Sequence, residues 1–201
     1  RQVNEAFTRQ PPASAETQHY KLLRMTHLLI RPSTEADLPA ITAIYEHAVL
    51  HGTGTFELDV PDQAEMAKRR EAVLANGLPW LVAVRGDQVL GYAYANFFRP
   101  RRAYRFCLED SIYLHPDAQG QGVGKQLLVE LMAQCEARGA RQMLAVIGDS
   151  ANAGSIGVHR SCGFEHTGVL KASGWKFGRW LDVVLMQRAL GDGDSNAPAA
   201  D

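Results

Sequence analysis

Glu109-Asp-Ser-Ile-Tyr-Leu-His-Pro-Asp-Ala-Gln-Gly-Gln-Gly-Val-Gly124 holds a strand, a stop and the opening of a helix in one short run. Ser111 to His115 alternates polar residues with β-branched, aromatic and aliphatic ones, which reads as a half-buried strand. Pro116 ends it, and Gln119 to Gly124 leads into a Leu-rich helical pattern. A strand, a glycine-rich turn and a helix N-terminus in succession favour a bound phosphate. Glycines let the backbone come close, several N–H groups converge, and the helix dipole favours negative charge. Spacing excludes two nucleotide-binding motifs. A P-loop needs four residues between its first Gly and Gly-Lys, then Ser or Thr. Here three residues separate Gly120 from Gly124-Lys125, and Gln126 follows. A dinucleotide-binding turn needs its third Gly at position 125, which is Lys. The residues fit Gln/Arg-x-x-Gly-x-Gly/Ala instead, through Gln119, Gly122 and Gly124.

Upstream, Leu28–Arg31 reads as a strand, and Thr34-Glu35-Ala36-Asp37 leads into a helix with Leu38, Ile41, Ile44, Tyr45 and Ala48 at helical spacing. Gly52 to Phe56 is a loop, and a second helix runs from Pro61-Asp62 to about Asn76-Gly77. Trp80–Arg85 and Gln88–Asn96 are strands joined at Gly86-Asp87. After the strand at 109–115, a helix over 122–138 places Val123, Leu127, Leu128, Leu131 and Cys135 on one face. Gln142–Ile147, Phe164–Lys171 and Trp180–Arg188 read as strands, with a short helix over Asn152–Cys162. This order predicts an α/β fold in which helices cover a mixed sheet.

With 201 residues, 46% of them apolar, and a net charge of −1, the composition is that of one soluble globular domain. There is no basic excess to suggest nucleic acid as a partner, and no charge run to suggest a membrane surface. No apolar stretch has the length of a transmembrane helix. Cys107, Cys135 and Cys162 lack metal-ligand spacing, so no metal is expected. An odd, unpatterned set suggests reduced thiols in a cytoplasmic protein. The domain is expected over 25–190. Residues 1–24 are polar and lack the apolar core of a signal peptide, so they read as a flexible vector-derived or upstream extension before Met25. Residues 191–201 read as a disordered tail.

The glycine turn after the fourth strand, with Asn152, Ser155 and His159-Arg-Ser-Cys-Gly163-Phe164, resembles the GCN5-related N-acetyltransferase (GNAT) superfamily over about residues 27–189. Tyr104 to Leu114, Ala145-Val-Ile-Gly148 and Lys176-Phe-Gly-Arg-Trp180-Leu-Asp182 resemble, within it, the phosphinothricin and methionine sulfoximine acetyltransferase group. The resemblance implies a GNAT fold, α/β with a mostly antiparallel sheet splayed between strands 4 and 5 and flanked by helices. It implies an enzyme that moves acetyl from acetyl-CoA to the α-amine of a glutamate-analogue amino acid by direct attack in a ternary complex. Phosphinothricin, methionine sulfoximine and methionine sulfone are such acceptors, which ties the group to herbicide or antibiotic resistance. A homodimer built through the C-terminal strands around Trp175 and Trp180 is also implied. The alternatives are another amine (a protein N-terminus, a polyamine or an aminoglycoside) and a non-catalytic acetyl-CoA sensor. The Arg cluster at 99–105 argues against polycationic acceptors, and the presence of Glu109 and His159 against a sensor.

Acyl transfer from a thioester to an amine needs a neutral amine, a stabilised oxyanion and a proton for the departing thiolate. A free α-ammonium has a pKa of about 8, so its proton must be removed near neutral pH. Glu109, which matches the group's Glu, is expected to take it, with a pKa raised by desolvation. Strand alternation sends Asp110 to the opposite face. His159 stands where other relatives have Tyr, near the sulfur, as an acid or base; alternatively it is a helix histidine bonded to backbone. The resemblance places the cofactor along Ile112, Tyr113 and Leu114, with the oxyanion at a backbone N–H near Tyr113 or Leu114. It places the pyrophosphate on Gln119, Gly120, Gln121, Gly122, Val123, Gly124 and Lys125, and the pantetheine arm near Asn152 and Ser155. For the acceptor, Arg99 and Arg101 offer guanidinium groups to a carboxylate; Arg101, which matches an Arg of the group, is favoured, with Tyr104 alongside, and Phe56 shapes the pocket. A Cys107 or Cys162 acyl-enzyme needs an activated thiolate, and the sequence shows no activating surroundings.

Overall fold

Trp80–Arg85 is apolar and buried along its length except at Arg85, and it pairs with Gln88–Phe97 in a hairpin inside a seven-stranded sheet. A computed structural model describes residues 27–198, so the expected extension at 1–24 lies outside the described residues. In chain order the elements are β1 (Leu28–Pro32), α1 (Leu38–His51), α2 (Gln63–Ala75), β2 (Trp80–Arg85), β3 (Gln88–Phe97) and β4 (Cys107–Leu114). There follow α3 (Val123–Glu136), β5 (Gln142–Gly148), α4 (Ala153–Ser161), β6 (Glu165–Lys176) and β7 (Arg179–Ala189). The strands lie in the order β1-β2-β3-β4-β5-β7-β6. Every neighbouring pair is antiparallel except β4 and β5, which are parallel.

Alternation along β4 assigns the two faces. Tyr113 meets Tyr45 of α1 edge to face at 4.9 Å, so the odd-numbered side chains face α1. Ile112 and Leu114 lie against Gly124 of α3, so the even-numbered ones face α3 and α4. On the first face Trp80 stacks with Tyr92 and Tyr94, and Tyr92 with Tyr113. On the second, Leu127, Leu128 and Leu131 of α3 are fully buried. These rings and Leu side chains account for much of the apolar surface removed from water, at about 25 cal/mol per Å².

One element end, that of β6, differs from the sequence expectations. Glu35–Asp37 forms a 3-10 turn that leads from Thr34 into α1, and Pro39 lies in the first turn of α1 itself. β6 continues to Lys176, past the expected end at Lys171. Lys171 to Gly174 has the small, polar composition of a loop, but a bulge absorbs it, with Ala172 at φ +51°, and pairing with β7 resumes at Gly174 opposite Leu181. Past Leu190 the described residues make turns over 191–194 and bends at 195 and 196, and Arg141 donates to Asn196 Oδ1 at 2.9 Å.

Asp37 ties β1 to the start of α1. Its carboxylate accepts two bonds from Arg31, at 2.7 and 2.8 Å, and two more from Thr34 N–H and Oγ1. The Arg31 bond, opposed by burial and helped by Thr34, holds its pKa at about 2. Asp37→Asn is expected to cost about 2 kcal/mol, the range for bonds to a charged group. The sign follows from the depressed pKa. The stabilisation is complete above the unfolded carboxylate value of about 3.9 and is lost as pH falls through about 2. Urea melts from pH 5 to pH 2.5 check both points: the variant starts lower and loses less over that window.

Candidate active site

The parallel β4–β5 ladder is short. It pairs Cys107 to Asp110 with Gln142 to Ala145 and then stops, although both strands continue. Beyond Asp110 the sheet opens. At the two ends of the β3–β4 ladder Phe98 N–H donates to Cys107 O and His115 N–H to Leu90 O. Antiparallel alternation therefore turns the backbone groups of odd-numbered β4 residues toward β3 and those of even-numbered ones away. Leu108 and Asp110 meet β5, whereas the N–H and C=O of Ile112 and Leu114 face the opening. Of the two residues expected at the oxyanion, Leu114 faces the gap and Tyr113 gives its N–H to β3. Ile112 is nearest the closed end.

A cavity of about 1110 Å³ follows this opening. Its far end is the glycine turn. Gly120 and Gly122 have φ of +72° and +77°, left-handed values that suit glycine, and nothing stands within 4 Å of a Cβ at either. Gln126 N–H is the first to bond back into the helix, to Gly122 O. The N–H groups of Val123, Gly124 and Lys125 thus lie in the unsatisfied first turn of α3. An open helix end beside two bare glycines fits a diphosphate, and the unpaired backbone of β4 fits an amide-bearing arm. Gln119, Gly120, Gly122, Val123, Gly124 and Lys125 all line the cavity. Gln121 does not; its side chain accepts from Arg85 and donates to Asp117 O.

At the closed end, consecutive β4 residues place carboxyl groups on opposite faces, as alternation requires. Glu109 is half-buried and borders the cavity on the α1 side. Desolvation raises its pKa, Asp110 adds to the rise and Arg99 opposes it. On the other side His159, 2% exposed, is bonded at both ring nitrogens: Nδ1 to Ser155 O at 2.7 Å and Nε2 to Asp110 Oδ2 at 2.9 Å. The backbone-bonded reading of His159 thus holds for Nδ1, while the partner of Nε2 was missed. The signal available was an acidic residue on the strand face that a helix His must cover. Asn152 and Ser155 line the cavity with His159, but Asn152 caps α4, accepting from Ser155 N–H at 3.1 Å.

Phe56 forms part of the opposite wall. Its ring lies where a Cβ on Gly148 or Gly174 would stand, so two glycines make its slot. The same loop is held by the buried Lys176, whose Nζ donates to Thr55 O at 2.9 Å. Arg99, Arg101 and Tyr104 lie on the exposed segment between β3 and β4, outside the cavity lining. Arg99 stacks over Phe98 at 4.5 Å and acts on the Glu109 charge. The Cys107 thiol is pushed up by burial and by Glu109, the reverse of what a nucleophile needs. Among the described residues, no cluster of His, Cys, Asp and Glu could hold a metal ion, and no helix is long and apolar enough to cross a membrane.

Comparison with known proteins agrees with this geometry. Residues 41–164 match the Acetyltransferase (GNAT) family. The chain is 56% identical over 169 residues to a phosphinothricin N-acetyltransferase of Alcaligenes faecalis, covering 84% of this chain and 86% of that protein. It is 42% identical over 170 residues to an L-methionine sulfoximine/L-methionine sulfone acetyltransferase of Pseudomonas paraeruginosa, covering 84% and 98%. Among solved structures, a GNAT superfamily phosphinothricin acetyltransferase from Sinorhizobium meliloti in complex with AcCoA superposes with a TM-score of 0.82. That pair is 51% identical over 86% of this chain and 93% of the other.

Proposed function

Because the chain belongs to the GNAT family and is an acetyl-CoA-dependent N-acetyltransferase of the phosphinothricin and methionine sulfoximine type, we propose that it acetylates the α-amine of a glutamate-analogue amino acid by direct attack in a ternary complex. The single observation that carries this reading is the end of the β4–β5 ladder at Asp110, which leaves an open groove running from Glu109 to the glycine turn. A thioester laid along it has its phosphates on the N–H groups of Gly120 to Lys125 and its acyl end beside Ile112. The N–H of Ile112 is then the donor for the acetyl oxygen as negative charge develops there. Glu109 takes the proton of the acceptor's ammonium, and its raised pKa suits a base working near neutrality. His159 lies on the opposite face, on the sulfur side of the groove.

Acceptor recognition is assigned to Phe56 and to the Arg99, Arg101 and Tyr104 segment, with a guanidinium on the amino-acid carboxylate. Arg99 is favoured by its action on Glu109. The exposed Trp175, Phe177 and Trp180 form an aromatic end to the β6–β7 hairpin that suits a second copy of the chain.

Thiol release from acetyl-CoA tests the reading, with phosphinothricin, methionine sulfoximine, methionine sulfone, a polyamine and a peptide N-terminus as acceptors. Turnover is expected with the first three and not with the polyamine. Turnover confined to the polyamine or the peptide would overturn the acceptor assignment and leave the cofactor site untouched.

A further inference from the structure

Two bonds fix the chemistry of His159. A carbonyl oxygen can only accept, so Nδ1, 2.7 Å from Ser155 O, carries a hydrogen. An imidazole protonated there alone would turn the lone pair of Nε2 toward whatever faces it. On the sulfur side of the sheet such a nitrogen is a base and has no proton to give. What faces Nε2 is Asp110 Oδ2 at 2.9 Å, with both side chains at most 2% exposed. Two bare acceptors do not pack together in a buried site, so one proton lies in that bridge. Asp110 sits at the last β4–β5 pair, opposite Ala145, where the groove closes. Both residues border the cavity.

We propose that Asp110 is a positioning residue that turns His159 from a base into an acid, holding it as an imidazolium whose Nε2 proton serves the departing thiolate. The inference rests on the acetyl-transfer reading only for the place of the sulfur. In the step, the bond between the amine nitrogen and the acetyl carbon forms and the carbon–sulfur bond breaks. The sulfur keeps the electron pair and takes the Nε2 proton. This leaves a neutral imidazole facing an ionised carboxylate, an arrangement that takes a proton back from solvent. The ammonium proton removed through Glu109 goes to solvent, and the second nitrogen proton, shed as the C–N bond forms, leaves through the same carboxylate; with one proton regained by the imidazole, the cycle yields the amide, the free thiol and one net proton.

The surroundings support a charged ring. Burial pulls the His159 imidazolium down, but the bond and charge of Asp110 and the Ser155 carbonyl outweigh it, and the net shift is upward. From α3 the titratable neighbour in the field of Asp110 is Cys135, whose thiol is pushed up to about 12 and stays neutral. From β5 the residue in register with Asp110 is Ala145, and Phe164 presents its ring edge-on to His159 at 5.0 Å. On β4 itself Glu109 points to the other face. An imidazolium with a raised pKa is better matched to a thiol of about 8.5 than a free histidine is.

The test is the imidazole nitrogen spectrum of His159 at pH 7.5 in ¹⁵N-histidine-labelled protein, without acceptor. Wild type is expected to show both ring nitrogens protonated, and Asp110→Asn the neutral form with hydrogen on Nδ1. In the same variant kcat is expected to fall about a hundredfold, with both Michaelis constants within about threefold of wild type. An unprotonated Nε2 in wild type would overturn the proposal, and this measurement stands even if the variant does not fold. An Asp110→Asn protein that keeps the imidazolium, or keeps its kcat, overturns it too. Because the spectra need no acceptor, an error in the acceptor class shows separately, as wild-type protein inactive with the amino-acid analogues.

Discussion

Glu109→Gln is expected to lower kcat/KM for the acceptor about a hundredfold at pH 6.5, the scale of a lost general base, and by less than tenfold at pH 9. The difference narrows because the free α-amine, with a pKa of about 8, supplies itself in neutral form as the pH rises. In wild type the base works only when ionised. Burial and the neighbouring Asp110 raise the Glu109 pKa against the pull of Arg99, so the acid limb of the wild-type profile lies above the ordinary carboxylate range. The variant lacks that limb. Its dissociation constant for acetyl-CoA is expected to stay within about twofold, since the side chain lies at the acyl end and not on the phosphate turn. Thiol-release rates from pH 6 to 9, with calorimetric titration of acetyl-CoA, decide the matter. Parallel profiles for the two proteins would remove Glu109 as the base.

Gly122→Val acts at the other end of the groove. Gly122 caps α3 at φ +77°, where a residue with a Cβ costs about 1–2 kcal/mol and a β-branched one is worst placed. Nothing lies within 4 Å of the new Cβ, so the protein is expected to fold, with a melting temperature lower by a few degrees. That open space borders the cavity at the helix end to which the proposed function assigns the phosphates. Filling it should weaken acetyl-CoA by at least about a hundredfold, the equivalent of two charge-assisted bonds. Gly77→Val provides the control. It sits at φ +70°, also with nothing within 4 Å, just past the end of α2 and outside this cavity, and should reproduce the loss of stability without the loss of binding. Equal affinity for acetyl-CoA in the two variants would dissociate the glycine turn from the cofactor.

Features set by neighbours in sequence were legible in advance. The β2–β3 hairpin followed from the turn residues Gly86-Asp87, the α3 core face from the spacing of Leu127, Leu128 and Leu131, and the opposed faces of Glu109 and Asp110 from the strand period. Features set by packing between distant residues were not. The bond between Asp110 and His159 joins positions 49 apart and depends on how α4 docks. Which β4 backbone groups face the gap follows from where the β4–β5 ladder stops, a tertiary event. Asn152, expected near the pantetheine arm, lines the cavity and also caps α4, a second role that Asn ahead of a helix signals. The end of β6 was hidden because a bulge lets loop-like residues continue a strand.

The bond from Lys176 Nζ to Thr55 O spans 121 residues, and it sets an order of assembly. A contact of such separation carries a large loop-closure entropy and forms late in folding. The glycine turn, by contrast, is built from the contiguous segment β4–α3 and closes over short sequence separations. The Gly52–Phe56 wall is therefore expected to close late, and on mild heating to loosen early, so that selectivity among acceptors falls before acetyl-CoA binding does.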